Sequence, residues 1–61
     1  MPDVTLDKLR AARAAADRAE TEVVRLVREA RQLNRSWEDI GRALGVTRQA
    51  AWERYGRKTD A

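Results

Sequence analysis

From Val4 to Leu33 the chain contains neither glycine nor proline, and its apolar positions recur every three or four residues. Leu9, Ala12, Ala16, Ala19, Val23, Leu26, Ala30 and Leu33 follow one another at alternating steps of three and four. Such spacing is a heptad seam, the pattern of a helix that lies along another helix. The stretch is rich in alanine, leucine, arginine and glutamate, all good helix formers, and it predicts one long helix over residues 4–34. At 1.5 Å per residue that helix extends roughly 45 Å. Asp3 and Thr5 are candidate caps for its start, and Asp7 suits the dipole of its first turn. Half of the seam is alanine, so it is narrow in its first part and fuller toward Leu26 and Leu33. Arg13, Glu20 and Val27 flank one side of the seam, and Ala15, Glu22 and Glu29 the other, which leaves parallel and antiparallel pairing both open.

Beyond Leu33 the period breaks at Asn34 and Arg35. Ser36 followed by Asp39 has the form of a capping box, and a second helix is expected over 37–44. Gly45 can adopt the left-handed conformation that ends a helix, Val46 is expected to tuck inward, and Thr47 to cap a third helix over 48–55. Gly56 is read as closing that helix as Gly45 closes the second, leaving 57–61 as a frayed tail. The expected architecture is all-α and a single domain over 1–61: a long helix over 4–34, a two-helix unit over 36–56, and a tail.

Length and composition sharpen this picture. A chain of 61 residues hides only about 60% of its unfolded surface, so a lone monomer is marginal and a partner chain is expected. There is no cysteine and no histidine, which removes disulfides, the usual metal ligands and the commonest catalytic groups. No metal, cofactor or small-molecule ligand is expected, nor any enzymatic activity. The apolar runs are too short for a signal peptide or a membrane span, and a cytoplasmic, nucleoid-associated location follows as the expectation. The net charge of +3 is unevenly placed, since residues 1–30 balance and all the excess lies in residues 31–61. Nearly all the basic residues are arginine, whose planar fork suits phosphates and guanine edges.

The block from Ser36 to Gly56 has the layout of a helix-turn-helix: Ile40 and Leu44 one turn apart, Gly41 small where two helices cross, Gly45 at the turn, and Val46, Ala51 and Tyr55 on the inner side of the third helix. From Ile40 through Leu44, Gly45, Val46 and Thr47 to Arg54 and Tyr55 it resembles the helix-turn-helix family shared by the DNA-reading C-terminal region of bacterial sigma factors and many small regulators. The match covers about a third of the chain. It departs at Ala51, where that family carries a larger valine, and at Trp52, an aromatic at an often polar position; Trp37 or Trp52 is expected to cover the core there.

The resemblance implies double-stranded DNA as partner, with the start of the third helix in the major groove. Arg48, Gln49, Trp52 and Glu53 are the candidate base contacts, Arg48 toward guanine and Gln49 toward adenine. Arg35, Arg42, Thr47, Arg54, Arg57 and Lys58 are the candidate phosphate contacts. Glu53 has an ordinary alternative in pairing with Arg57 one turn on. Because two short helices cannot cover the segment from Leu9 to Ala19, a homodimer is expected through Leu9, Ala12, Ala16, Ala19, Val23 and Leu26. The resulting expectation is a small homodimeric transcriptional regulator. Its rivals are an architectural DNA-binding protein of little sequence preference and a protein-docking module such as an antitoxin or a sigma/anti-sigma partner.

Overall fold

The computed structural model describes residues 4–59. Three helices follow one another, α1 (Val4–Gln32), α2 (Trp37–Leu44) and α3 (Arg48–Thr59), with no strand among the described residues. Helix α1 already includes Thr5, so Thr5 does not cap it, and Asp3, the other candidate, lies outside the described residues. None of the described helices is long and apolar enough to cross a membrane.

Both interhelical turns use the same backbone device. After α1, Asn34 takes a left-handed conformation (φ 63°), its N–H donates to the Arg31 carbonyl (3.0 Å), and the next N–H, of Arg35, donates to Ala30 (3.0 Å). After α2, Gly45 does the same (φ 75°), with Gly45 N–H on Arg42 (3.3 Å) and Val46 N–H on Gly41 (2.9 Å). This pair of bonds is the Schellman closure, which satisfies carbonyls that a helix end leaves open. Arg31 stiffens the first turn further: its guanidinium donates to the Arg35 carbonyl (2.8 Å) and lies over the Trp37 ring, 5.2 Å from its centroid.

Each short helix is also capped at its start. Ser36 Oγ accepts from the Asp39 N–H (3.0 Å), while the Asp39 carboxylate turns to Arg42 (3.5 Å). Thr47 Oγ1 accepts from the Ala50 N–H (3.1 Å). These side chains supply acceptors for amides that have no carbonyl partner in the first turn.

The core is small and gathers all three helices: Val27 from α1, Trp37 and Ile40 from α2, Ala51 and Tyr55 from α3, with Val23, Val24, Ala30 and Leu44 packed around them. Trp37 is therefore the tryptophan that covers Ala51, which is wholly enclosed. Gly41 lets the end of α2 press on the next segment, since a Cβ there would stand 2.9 Å from the carbonyl oxygens of Val46 and Thr47.

Two expectations are corrected here. Val46 does not tuck inward; it is 45% exposed, because the Schellman turn directs its N–H, not its side chain, into the helix end. Gly56 does not end α3, which runs on to Thr59 with Gly56 buried inside it. Its missing side chain instead makes room for the Trp52 indole, whose atoms would lie 3.1–3.2 Å from a Cβ at that position. Arg57, Lys58 and Thr59 are accordingly helical and not a frayed tail, and Thr59 Oγ1 donates back to the Tyr55 carbonyl (2.9 Å).

Helix α1 serves the core only with its second half. From Val4 to Ala19 every residue is exposed, and the whole chain measures 53 × 19 × 16 Å. Two contacts tie the second half to α3: Arg54 to Glu20 (3.5 Å), and Arg28 to the Lys58 carbonyl (3.2 Å).

Candidate nucleic-acid interface

Because Ala51 and Tyr55 point into the core, the opposite face of α3 is turned to solvent, and its start is held by the Thr47 cap and the close approach of Gly41. Arg48 and Gln49 occupy the first turn of that helix, both exposed. With Trp37 and Trp52 they line an open cleft of about 370 Å³. Three of the four candidate base contacts, Arg48, Gln49 and Trp52, thus share one cleft, and Glu53 stands one turn on from Gln49.

Within this surface, Gln49 donates to the Glu53 carboxylate (3.1 Å). Glu53 is thus occupied by Gln49 one turn back, not by Arg57 one turn on. Trp52 is 48% exposed while Trp37 is only 9% exposed, so Trp52 is the tryptophan free to meet a ligand. Its indole lies along the helix against Gly56.

The candidate phosphate contacts separate into two sets. Arg35, Arg57 and Lys58 are exposed and, among the described residues, have no carboxylate within ion-pair distance; Arg48 shares this property. Arg42 and Arg54 are already engaged. Arg42 reaches Glu38 (3.4 Å) and Asp39 (3.5 Å), and Arg54 reaches Glu20 (3.5 Å) while lying over the Tyr55 ring (5.6 Å). The Arg42 pairs are solvent-exposed and individually weak, so an anion can displace their carboxylates at modest cost, whereas Arg54 is held to α1 by the half-buried Glu20. Thr47 spends its oxygen lone pair on the cap but keeps its hydroxyl proton to donate.

Tyr55, beneath this surface, holds its phenol proton above the usual range, chiefly through burial and then through the charge of Glu20. Among the described residues no group of histidine, cysteine, aspartate or glutamate side chains is arranged to hold a metal. The role of Asn34 in closing α1 escapes the heptad reading; an asparagine directly after a periodic run is its signal in the sequence.

The fold and this surface define an all-α chain in which two short capped helices, joined by a glycine turn, sit on the end of a longer one. No known protein family, curated protein or solved structure matches the chain.

Proposed function

We propose that this chain is a homodimeric, sequence-specific DNA-binding protein, a small transcriptional regulator of the bacterial helix-turn-helix type, that reads the major groove with the start of α3. The observation that carries the reading is the first turn of α3, where Arg48 stands exposed with no acidic partner among the described residues, beside Gln49, on a helix whose start is rigidly held. A guanidinium offers a two-pronged donor to O6 and N7 of guanine, and a carboxamide a donor and acceptor to adenine. Gln49 first has to release Glu53, an exposed hydrogen bond that a base edge can replace. Arg35, Arg57 and Lys58 supply charge to phosphates, with Arg42, Thr47 and Arg54 as second-rank contacts. Trp52, half exposed, serves in this reading as a further base contact. Nothing in this reading requires catalysis: the chain has no histidine or cysteine, and most described carboxylates face arginines.

The decisive experiment is selection from a random duplex pool at about 0.15 M salt, a strength at which non-specific phosphate binding is weakened. The expected outcome is enrichment of an inverted repeat, and loss of that preference in Arg48→Ala/Gln49→Ala. Each bidentate contact discriminates by about 1–3 kcal/mol, so the double variant should lose tenfold or more between best and scrambled sites. Retention of DNA without enrichment would favour the architectural role, and no retention the protein-docking role.

A further inference from the structure

We propose that the exposed seam of α1 is covered by α1 of a second copy running antiparallel, with Leu9 of each chain beside Leu33 of the other, Ala12 beside Ala30, Ala16 beside Leu26, and Ala19 beside Val23. The two-fold axis passes beside Thr21. This rests on the self-association part of the reading above and not on DNA recognition.

The seam is used only in part within the chain: Val23 and Ala30 pack against the core, and the rest stands open. Leu9, Leu26 and Leu33 are 64%, 48% and 63% exposed, and Ala12, Ala16 and Ala19 are exposed as well. In the second half of α1 the intramolecular contacts leave from a different side. Glu20 and Arg28 bind α3, while Ala19 and Leu26 lie on the far flank, about 150° away at 100° per residue, with Val23 and Ala30 between that flank and the core. Next to that flank runs an open apolar groove lined by Leu26, Ala30, Ile40, Ala43 and Leu44.

Size decides the direction of the second copy. In a parallel pair each seam residue meets its own copy, so Ala12, Ala16 and Ala19 form three thin layers in succession and Val23, Leu26 and Leu33 thick ones. Helix separation follows the contact side chains over about 8–10 Å, and such a pair would have to splay along its length. Reversal matches small with large at Ala16–Leu26 and Ala19–Val23 and gives the central layers similar volume. The thin Ala12–Ala30 layer falls beside the groove, where Ala43 and Leu44 fill the space. Every layer then pairs the two alternating positions of the heptad, as antiparallel packing requires.

Charge does not decide the direction, since either pair brings like charges together and Arg13 is neutralised by Asp17 (3.2 Å) in its own chain just as Glu20 and Glu22 are by arginines. A parallel pair sets Lys8 against Arg13 of the other copy on both sides. The antiparallel pair brings Glu20 and Glu22 toward their own copies near the axis, and each is already neutralised in its own chain, Glu20 by Arg54 (3.5 Å) and Glu22 by Arg25 (2.5 Å). The arrangement keeps α3 of each copy on the outside of the pair.

The natural chain has no cysteine, so single replacements report cleanly. Full-length Ala12→Cys and Ala30→Cys variants, checked for native helicity and mixed in a glutathione redox buffer, should form the 12–30 mixed disulfide. Neither alone should cross-link, because like positions stand about 27 Å apart, well beyond the roughly 7 Å limit between Cα atoms. Self-linked Ala12→Cys would overturn the proposal in favour of a parallel pair, and a chain that sediments as a monomer at 0.1 mM would overturn it altogether. A swap tests the same register without oxidation. Ala16→Leu and Leu26→Ala should each weaken the dimer on the order of tenfold, and the double variant should recover most of it because the two positions share a layer. Additive losses would refute the register. DNA enters neither test, so they stand or fall apart from the recognition of DNA.

Discussion

Gly41 and Gly45 are four residues apart and glycine for different reasons. At Gly45 the backbone is left-handed and the space around it is open, so the cost of another residue is conformational only. Asn34 performs the same task after α1, and Gly45→Asn should therefore be nearly neutral, while Gly45→Ala should cost about 1–2 kcal/mol by thermal denaturation. At Gly41 the backbone is ordinary and the space is absent, so Gly41→Ala should cost about 1–3 kcal/mol by pushing the α3 start away, and should weaken any function of Arg48 with it. The two tryptophans differ similarly: Trp37→Ala should cost about 3–5 kcal/mol, and Trp52→Ala about 1–2 kcal/mol, since half of its surface is already wet. For Tyr55 the raised phenol pKa means that the folded chain holds this proton more tightly than the unfolded one. Stability should be unaffected by it below about pH 10 and fall above that value, and Tyr55→Phe should remove this alkaline loss in denaturant titrations at pH 8 and 11.

At the scale of elements, α1 is two helices in one. Its second half is anchored by Val27 in the core and by Glu20 and Arg28 on α3, whereas residues 4–19 are all exposed and contribute nothing to the core. Pairs such as Arg10–Asp7 and Arg13–Asp17 support that first half by a few tenths of a kcal/mol each, too little to hold an isolated helix of this length. Hydrogen exchange should therefore separate the halves at low concentration, with fast exchange before Glu20 and slower exchange after it. At high concentration, protection should spread to the first half as a second chain covers it. Equal protection of both halves at every concentration would contradict this division. Helix α3 shows the converse lesson, since it continues through Gly56 because Trp52 covers the gap and Thr59 bonds back to Tyr55.

The whole molecule is elongated. Its radius of gyration, 15.3 Å, compares with roughly 10–11 Å for a compact chain of this length. A core of five buried side chains is a small reserve of stability, and the melting temperature should rise with protein concentration if association completes it. The basic excess of the second half bears on DNA at the same scale. Replacing Arg57 and Lys58 together by alanine should weaken binding to all sequences alike and, with two copies in a dimer, reduce the slope of log K against log salt by about 3–4.

Much of this architecture was legible in residue order. The heptad run marked α1, Ser36 and Thr47 marked the helix starts, and Gly45 the turn, because caps and left-handed turns depend on a few neighbouring atoms and leave a local signature. On α3, Ala51 and Tyr55 are legible as the inward side and Gln49 and Glu53 as the outward one, whereas Arg48 shares the stripe of Ala51 and Tyr55 and its exposure is seen only in the packed chain. What residue order left open depended on atoms distant in the chain or on space: which tryptophan is buried, whether Val46 turns in, what Gly56 accommodates, and which arginines meet carboxylates. Periodicity shows that a face of α1 is apolar, but only the packed chain shows that Val27 spends one side on the core while Leu9, Leu26 and Leu33 remain outside it. Local patterns set conformation through contacts a few residues away; burial is settled only when the three helices compete for the same volume.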